Sequence, residues 1–189
     1  GRHPVVEKLI SNDYEFIGSN IPGCKYSISK IKPLSRAFYK LIEIFYTSNM
    51  IKSLKRQPIE SFHLAEGPGG FIEALSYMRN NSHDRYYGMT LLDTKSKSIP
   101  GWKKTTQFLR ENTNVYIETG VDNTGNLYST KNLEGCIRKY KNSMDIITGD
   151  GGFDFSIDYN KQEILAVRLI FTQIVYALHM QKQGGTFIL

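Results

Sequence analysis

The chain has 189 residues, of which 40% are hydrophobic and 12% aromatic. That is enough for one globular domain with a sizeable core, and too apolar for a disordered segment. A net charge of +6 favours a polyanionic partner such as nucleic acid. The two cysteines, Cys24 and Cys136, have neither metal-ligand spacing nor the density of a disulfide scaffold, so a reducing compartment and no metal site are expected. The first residues hold no apolar signal region, and Arg168 and Gln173 interrupt the most apolar late stretch, so a non-secreted protein of the cytoplasm or nucleus with no membrane contact is expected.

Residues 1–33 mix polar residues with Gly18, Pro22, Gly23 and Pro33, and read as an irregular lead-in. From Ser35, which is placed to cap a helix, Phe38, Leu41, Ile42, Phe45 and Tyr46 share one helical face. Lys40 lies at the edge of that stripe. Between Lys25 and Arg56 there are eight basic residues against one acidic residue, Glu43, which makes this the most polarised stretch. Tyr26, Phe38, Tyr39, Phe45 and Tyr46 are interleaved with the positive charge, as stacking surfaces or, more commonly, as core.

Phe62-His63-Leu64-Ala65-Glu66-Gly67-Pro68-Gly69-Gly70-Phe71-Ile72 changes from an apolar run to a glycine turn and then to helical periodicity, which predicts strand, loop and helix over 62–78. Gly67, Gly69 and Gly70 leave backbone bare for a ligand beside the helix N-terminus. Ile72 stands where a dinucleotide fingerprint needs its third glycine, which disfavours a pyrophosphate cradle. Residues 85–93 predict a second strand ending on Asp93, at the interval where an acid meets ribose hydroxyls in nucleotide-binding units; a solvated loop aspartate is the plainer alternative. Residues 94–104 predict an exposed loop and 115–118 a strand. The polar loop 119–126 carries Asp122 and Asn126 as possible ligand contacts. A helix over 131–141 and a buried strand breaking at Asp150 follow. Ile164, Val167, Phe171, Ile174, Val175 and Leu178 mark a long amphipathic helix, and Gly184 and Gly185 turn into a strand over 186–189. This alternation predicts an α/β fold with a doubly wound, mostly parallel sheet.

Ser35-Arg36-Ala37-Phe38-Tyr39-Lys40, Ala65-Glu66-Gly67-Pro68-Gly69-Gly70-Phe71, Gly88-Met89-Thr90-Leu91 and Gly149-Asp150-Gly151-Gly152-Phe153 occur in an order that resembles the FtsJ-like RNA ribose 2'-O-methyltransferases. The last two pieces look most like the branch that methylates messenger RNA caps. The resemblance implies a Rossmann-like methyltransferase domain over 34–189, S-adenosylmethionine as cofactor, and capped messenger RNA as substrate, with capping-machinery proteins as possible partners. It places Glu66, Gly67, Pro68, Gly69, Gly70 and Phe71 against the methionine and ribose part of the cofactor, Asp150 at the reaction centre beside it and the Asp122 and Asn126 loop near its adenosine, while Asp93 is a candidate ribose contact from its interval alone. Cap-branch members tend to have aspartate where Asn126 stands. It implies Lys40 and Asp150 as catalytic residues, and the basic stretch supplies Lys32, Arg36 and Lys40 as RNA contacts. The family's second lysine would fall just past Leu189, so the resemblance also implies a domain lacking its last strands. The competing expectations are a catalytically inactive module of the same fold within a capping or RNA-processing assembly, and, less consistent with Ile72, a nucleotide-dependent oxidoreductase.

Overall fold

Strands and helices alternate along the chain as its periodicities require. The structure is a computed structural model that describes residues 17, 28–54, 57–92, 101–151 and 159–189, with the backbone alone at 53 and 159–165. Cys24, Lys25, Tyr26, Lys55, Arg56, Asp93, Gly152 and Phe153 lie outside the described residues. The elements are α1 (Ala37–Thr47), α2 (Met50–Ser53), β1 (Glu60–Leu64), α3 (Gly70–Arg79), β2 (Arg85–Met89), α4 (Thr106–Glu111), β3 (Val115–Glu118), α5 (Thr130–Tyr140), β4 (Met144–Gly149), α6 (Tyr159–Met180) and β5 (Gln181–Ile188).

The five strands pair in parallel in the order β3-β2-β1-β4-β5. The chain moves outward from β1 through β2 to β3, crosses back to β4, and moves outward again to β5. The order therefore reverses between β1 and β4, where open α/β sheets bind ligands beyond their strand C-termini. This is the Rossmann-like, doubly wound fold expected from the sequence. Two core layers flank the sheet. Phe38, Leu41 and Phe45 of α1 pack with Ile72 and Leu75 of α3 and with Tyr86 on one face, while Phe62, Leu64, Met89, Ile147, Tyr176 and Met180 fill the other. Burying each large α1 side chain contributes about 1.5–3 kcal/mol. Helix α1 is thereby fixed as a rigid mount for the exposed Lys40.

Several elements differ from the sequence reading. Ser35 makes no side-chain cap to α1, whose N-cap is Arg36; it contributes its carbonyl to Phe38 N instead. Helices α2 and α4 are too short to give a periodic signal. Strand β5 starts at Gln181, and its register with β4 shifts between Met144 and Ile146, so Gly184 and Gly185 lie within the strand's irregularity. Gly101 is buried and Trp102 half-buried, so the end of the expected exposed loop is packed. Helix α6 turns inward a different stripe from the one its most apolar residues mark. Val167, Phe171 and Leu178 are 58%, 65% and 74% exposed, while Leu169, Tyr176, Ala177, Met180 and the polar Gln173 are buried. The helix is apolar on both faces, so its period alone does not choose between them.

Candidate active site

Past β1 the chain turns sharply. Ala65 takes a φ of 55°, Glu66 N donates to Met89 O at 3.2 Å, and Gly69 N donates to Glu66 O at 2.8 Å across a cis Gly67–Pro68 peptide. The Glu66 side chain then folds onto α3. Its Oε1 accepts from Phe71 N at 2.8 Å and Ile72 N at 2.9 Å. These are first-turn N–H groups that a bound phosphate would need. The chain's own carboxyl satisfies them, which is a physical reason, beyond the missing third glycine, against a pyrophosphate cradle.

The glycines serve chain packing more than an open ligand surface. Gly69 has φ +111°, and a Cβ there would stand 3.3 Å from Leu34 Cδ1 and 3.5 Å from Trp102 Cζ3. At Gly70 the added atom would overlap Ser35 Oγ, and at Gly67 it would lie 2.7 Å from Gly101 O. The loop is clamped from both sides: Leu34 N donates to Glu73 Oε2 at 2.7 Å, and Thr105 Oγ1 donates to Pro68 O at 2.6 Å. Trp102 and Thr105, which the sequence reading left in or beside an exposed loop, are therefore part of the site's frame.

Asp150 follows β4 immediately, and its two carboxylate oxygens each accept from Lys40 Nζ at 2.7 Å. Both side chains are partly exposed. An ion pair of that kind contributes at most about 1 kcal/mol to stability. Its consequence is positional: a 110-residue separation in sequence closes into one ammonium held at the C-terminal edge of the sheet. Glu66 lies close enough to feel Asp150. Burial pushes the Glu66 carboxyl up to about 8, opposed by the two backbone N–H groups and reinforced by the charge of Asp150.

Folded protein thus retains a proton that the unfolded chain releases above the ordinary value of 4.5, so Glu66 lowers stability as pH rises from about 4.5 to about 8. The loss amounts to a few kcal/mol in order of magnitude. His63, fully buried between Ser61 Oγ at 2.9 Å and Thr148 Oγ1 at 2.8 Å, has the opposite slope. Burial lowers its value from 6.5 to about 3, so its contribution is full above 6.5 and is lost as pH falls toward 3. Between pH 6.5 and 8 only the Glu66 slope of these two operates. Urea midpoints should fall across that window in the wild type and stay flat in Glu66→Gln; equal slopes would remove Glu66 as their source.

The loop after β3 is ordered by its own side chains. Asp122 accepts from Thr124 N at 3.0 Å, Thr124 Oγ1 at 2.6 Å, Asn132 Nδ2 at 2.8 Å and Ser129 Oγ at 2.9 Å. The Thr124 and Asn132 side chains, with the other donors, hold its carboxyl well below the usual range. Asn126 Oδ1 accepts from Tyr128 N at 2.9 Å. Asn132 is fully buried and also bonds Asp122 N and Asn126 O, so it is the hub of the loop. Leu92 N donates to Thr124 O at 2.7 Å, which brings the end of the β2 segment against this loop. Glu66, Lys40 and Asp150 gather beyond β1 and β4, and the Asp122 loop stands at the same sheet edge beyond β3.

A family profile described as FtsJ-like methyltransferase matches residues 33–189. The chain belongs to the FtsJ-like methyltransferase family. Among curated relatives, it is 31% identical over 163 residues to a cap-specific mRNA (nucleoside-2'-O-)-methyltransferase 2 from Danio rerio, covering 82% of this chain and 22% of that protein. A cap-specific mRNA (nucleoside-2'-O-)-methyltransferase 1 from Trypanosoma cruzi is 27% identical over 169 residues, covering 82% of this chain and 44% of that protein. The chain thus spans less than half the length of these relatives. A solved structure from Plasmodium falciparum, described as a ribosomal RNA methyltransferase, superposes with a TM-score of 0.51 at 21% identity, covering 82% of this chain and 76% of that one. At that identity it supports the fold alone.

Within the FtsJ-like framework, the predicted residues Lys40, Asp150 and Glu66 to Phe71 converge around the β1 and β4 ends. Lys32 and Arg36 are exposed on the segment leading into α1, and Arg36 is four residues before Lys40, so the two can share a helix face. The residues missed by sequence reasoning are His63, Trp102, Asn132 and Gln173. Each is a polar or amphipathic side chain inside an apolar or loop context, where the sequence shows no partner. Among the described residues no cluster suited to a metal is present, and no helix is long and apolar enough to cross a membrane.

Proposed function

We propose that the site transfers the methyl group of S-adenosylmethionine to the ribose 2'-hydroxyl of RNA, at the cap-proximal nucleotides of messenger RNA. The observation that carries the reading is the Lys40 ammonium held by both oxygens of Asp150 beside a glycine loop whose helix N-terminus is already filled by Glu66. The first-turn N–H groups that an anion would need are occupied by Glu66, so the loop disfavours an anionic ligand, and the partly exposed Asp150 carboxylate beside it can face a cationic one. A sulfonium cofactor bearing an ammonium group fits that requirement. When bound, it supplies an electrophilic methyl group on sulfur.

Glu66 and the backbone of the glycine loop hold the methionine and ribose part, with Asp93 as a proposed ribose contact. The Asp122 and Asn126 loop borders the adenosine. There Asp122 acts by fixing loop shape, since its carboxylate already serves its own loop's donors. Asp150 orients Lys40, and the ammonium stabilises negative charge developing on the attacking 2'-oxygen. Lysine suits this position because it is a compact point charge with donors that rotate. The site works on a soluble substrate in the cytoplasm or nucleus, and capping proteins are its proposed partners.

Incubating the intact protein with labelled S-adenosylmethionine and capped or uncapped transcripts, followed by nuclease digestion, tests the reading. Label in a nuclease-resistant, 2'-O-methylated cap fragment is the expected product; label confined to bases, or none, would contradict it. Lys32 and Arg36 are proposed to contact RNA phosphate. Binding should weaken linearly in log salt, and removing either charge should reduce the slope by about 0.7. A slope unchanged in Lys32→Ala and Arg36→Ala would take this segment out of the RNA path.

A further inference from the structure

The position of Asp150 is bounded on one side by strand pairing, since Leu64 of β1 pairs with Gly149 of β4. On the other side it is bounded by a side chain that no motif marks. Gln173 of α6 is 1% exposed, and its Oε1 accepts from Gly151 N at 3.2 Å. Its Nε2 donates to Leu169 O at 3.2 Å, one helical turn back, which fixes the orientation of the amide. The backbone crosses the helix here so closely that a Cβ on Gly149 would stand 2.5 Å from Gln173 Oε1. One on Gly151 would lie 2.6 Å from Leu169 Cδ2 and 3.0 Å from Ala65 Cβ. Gly149-Asp150-Gly151 is therefore held between β1 and α6.

An apolar side chain at position 173 would fill the helix face equally well. It would leave Gly151 N without that acceptor and let the Asp150 backbone turn. Because Asp150 grips Lys40 with both oxygens, a turn of that peptide is transmitted to the ammonium. We propose that Gln173 is a positioning residue for the reaction centre: through Gly151 it sets the Asp150 carboxylate, and through Asp150 the Lys40 ammonium. The catalytic half of this proposal rests on the methyltransferase reading; the structural half does not.

The test measures acylation of Lys40 by acetic anhydride under competitive trace labelling, read by mass spectrometry, in the intact protein. An amine clasped by two carboxylate oxygens reacts slowly. Gln173→Met keeps the volume and removes the acceptor, and should raise the Lys40 labelling rate by about two- to fivefold, the range a partly exposed ion pair can supply. Asp150→Asn marks the upper limit. Ala177→Gly, on the same buried face, destabilises α6 by about 1 kcal/mol without touching the bond and should label like wild type. Gln173→Glu retains an acceptor for Gly151 N and should recover much of the protection.

In steady-state transfer, Gln173→Met should lower kcat and leave KM for S-adenosylmethionine unchanged. Lys40 labelling equal to wild type in Gln173→Met, or raised equally in Ala177→Gly, overturns the proposal. Should Gln173→Met fail to fold, hydrogen exchange at the Gly151 amide of the unaltered protein decides: protection supports the bond, and exchange at the rate of an exposed loop refutes it. If the labelling pattern appears while no variant or wild type transfers methyl groups, the positioning role stands and the methyltransferase reading fails.

Discussion

Lys40→Ala is expected to lower methyl transfer by about two to three orders of magnitude while leaving S-adenosylmethionine affinity nearly unchanged. The estimate follows from what the side chain does in the structure. Its hydrophobic neighbours Phe38, Leu41 and Phe45 hold α1 in place without it, and its ion pair with Asp150 is too exposed to matter for folding. What disappears is a cation aimed at the oxygen that becomes negative during attack. Removing one preorganised donor to a developing oxyanion costs about 2.7–4 kcal/mol in enzymes where it has been measured. Single-turnover transfer with cofactor saturating isolates the chemical step. A large loss of cofactor binding in place of the rate would assign Lys40 to the cofactor pocket and contradict its proposed role.

Gly69→Val is expected to do the reverse, weakening cofactor binding by tenfold or more and destabilising the fold. The cause is the chain itself more than contact with a ligand. At φ +111° a β-branched residue is outside its allowed backbone region, and its Cβ would crowd Leu34 Cδ1 at 3.3 Å with Trp102 and Thr105 already in contact behind it, which leaves little room for the two methyl groups. Strain of this kind costs of order 1–3 kcal/mol, before the displaced neighbours are counted. The loop would relieve it by opening, and the turn that presents Glu66 and Phe71 would move with it. Gly69→Asn, whose side chain tolerates positive φ better, should lose roughly half as much. Thermal midpoints and calorimetric affinity measured together check this; unchanged affinity in Gly69→Val would remove the loop from the cofactor site.

The strand, loop and helix around Glu66 were legible because a short apolar run gives way to helical periodicity across a glycine turn, and the run is buried on both faces of β1 from Ser61 to Leu64, as a central parallel strand requires. Alternation of such units was enough for a parallel, doubly wound sheet. The meeting of Lys40 with Asp150 was not available from periodicity, since it depends on α1 packing beside α3 and on β4 pairing with β1; only the resemblance to FtsJ-like motifs brought the two residues together in advance. Gln173 was read as a polar break in an apolar stretch, although it lies on the buried face of α6. A buried polar residue differs from an exposed one only by its partner, here the backbone N–H of Gly151, and partners are a tertiary property. His63 and Asn132 escaped for the same reason. Trp102 escaped because its lysine-rich neighbours made the segment look solvated.

Calorimetric titration of S-adenosylmethionine into the intact protein tests the central claim most directly, with Lys40→Ala and Gly69→Val titrated alongside. Saturable one-site binding is predicted for the wild type, retained in Lys40→Ala and weakened in Gly69→Val. Absence of heat and of competition by S-adenosylhomocysteine, or saturable binding of a nicotinamide dinucleotide in its place, would contradict the assignment of the glycine loop to a sulfonium cofactor.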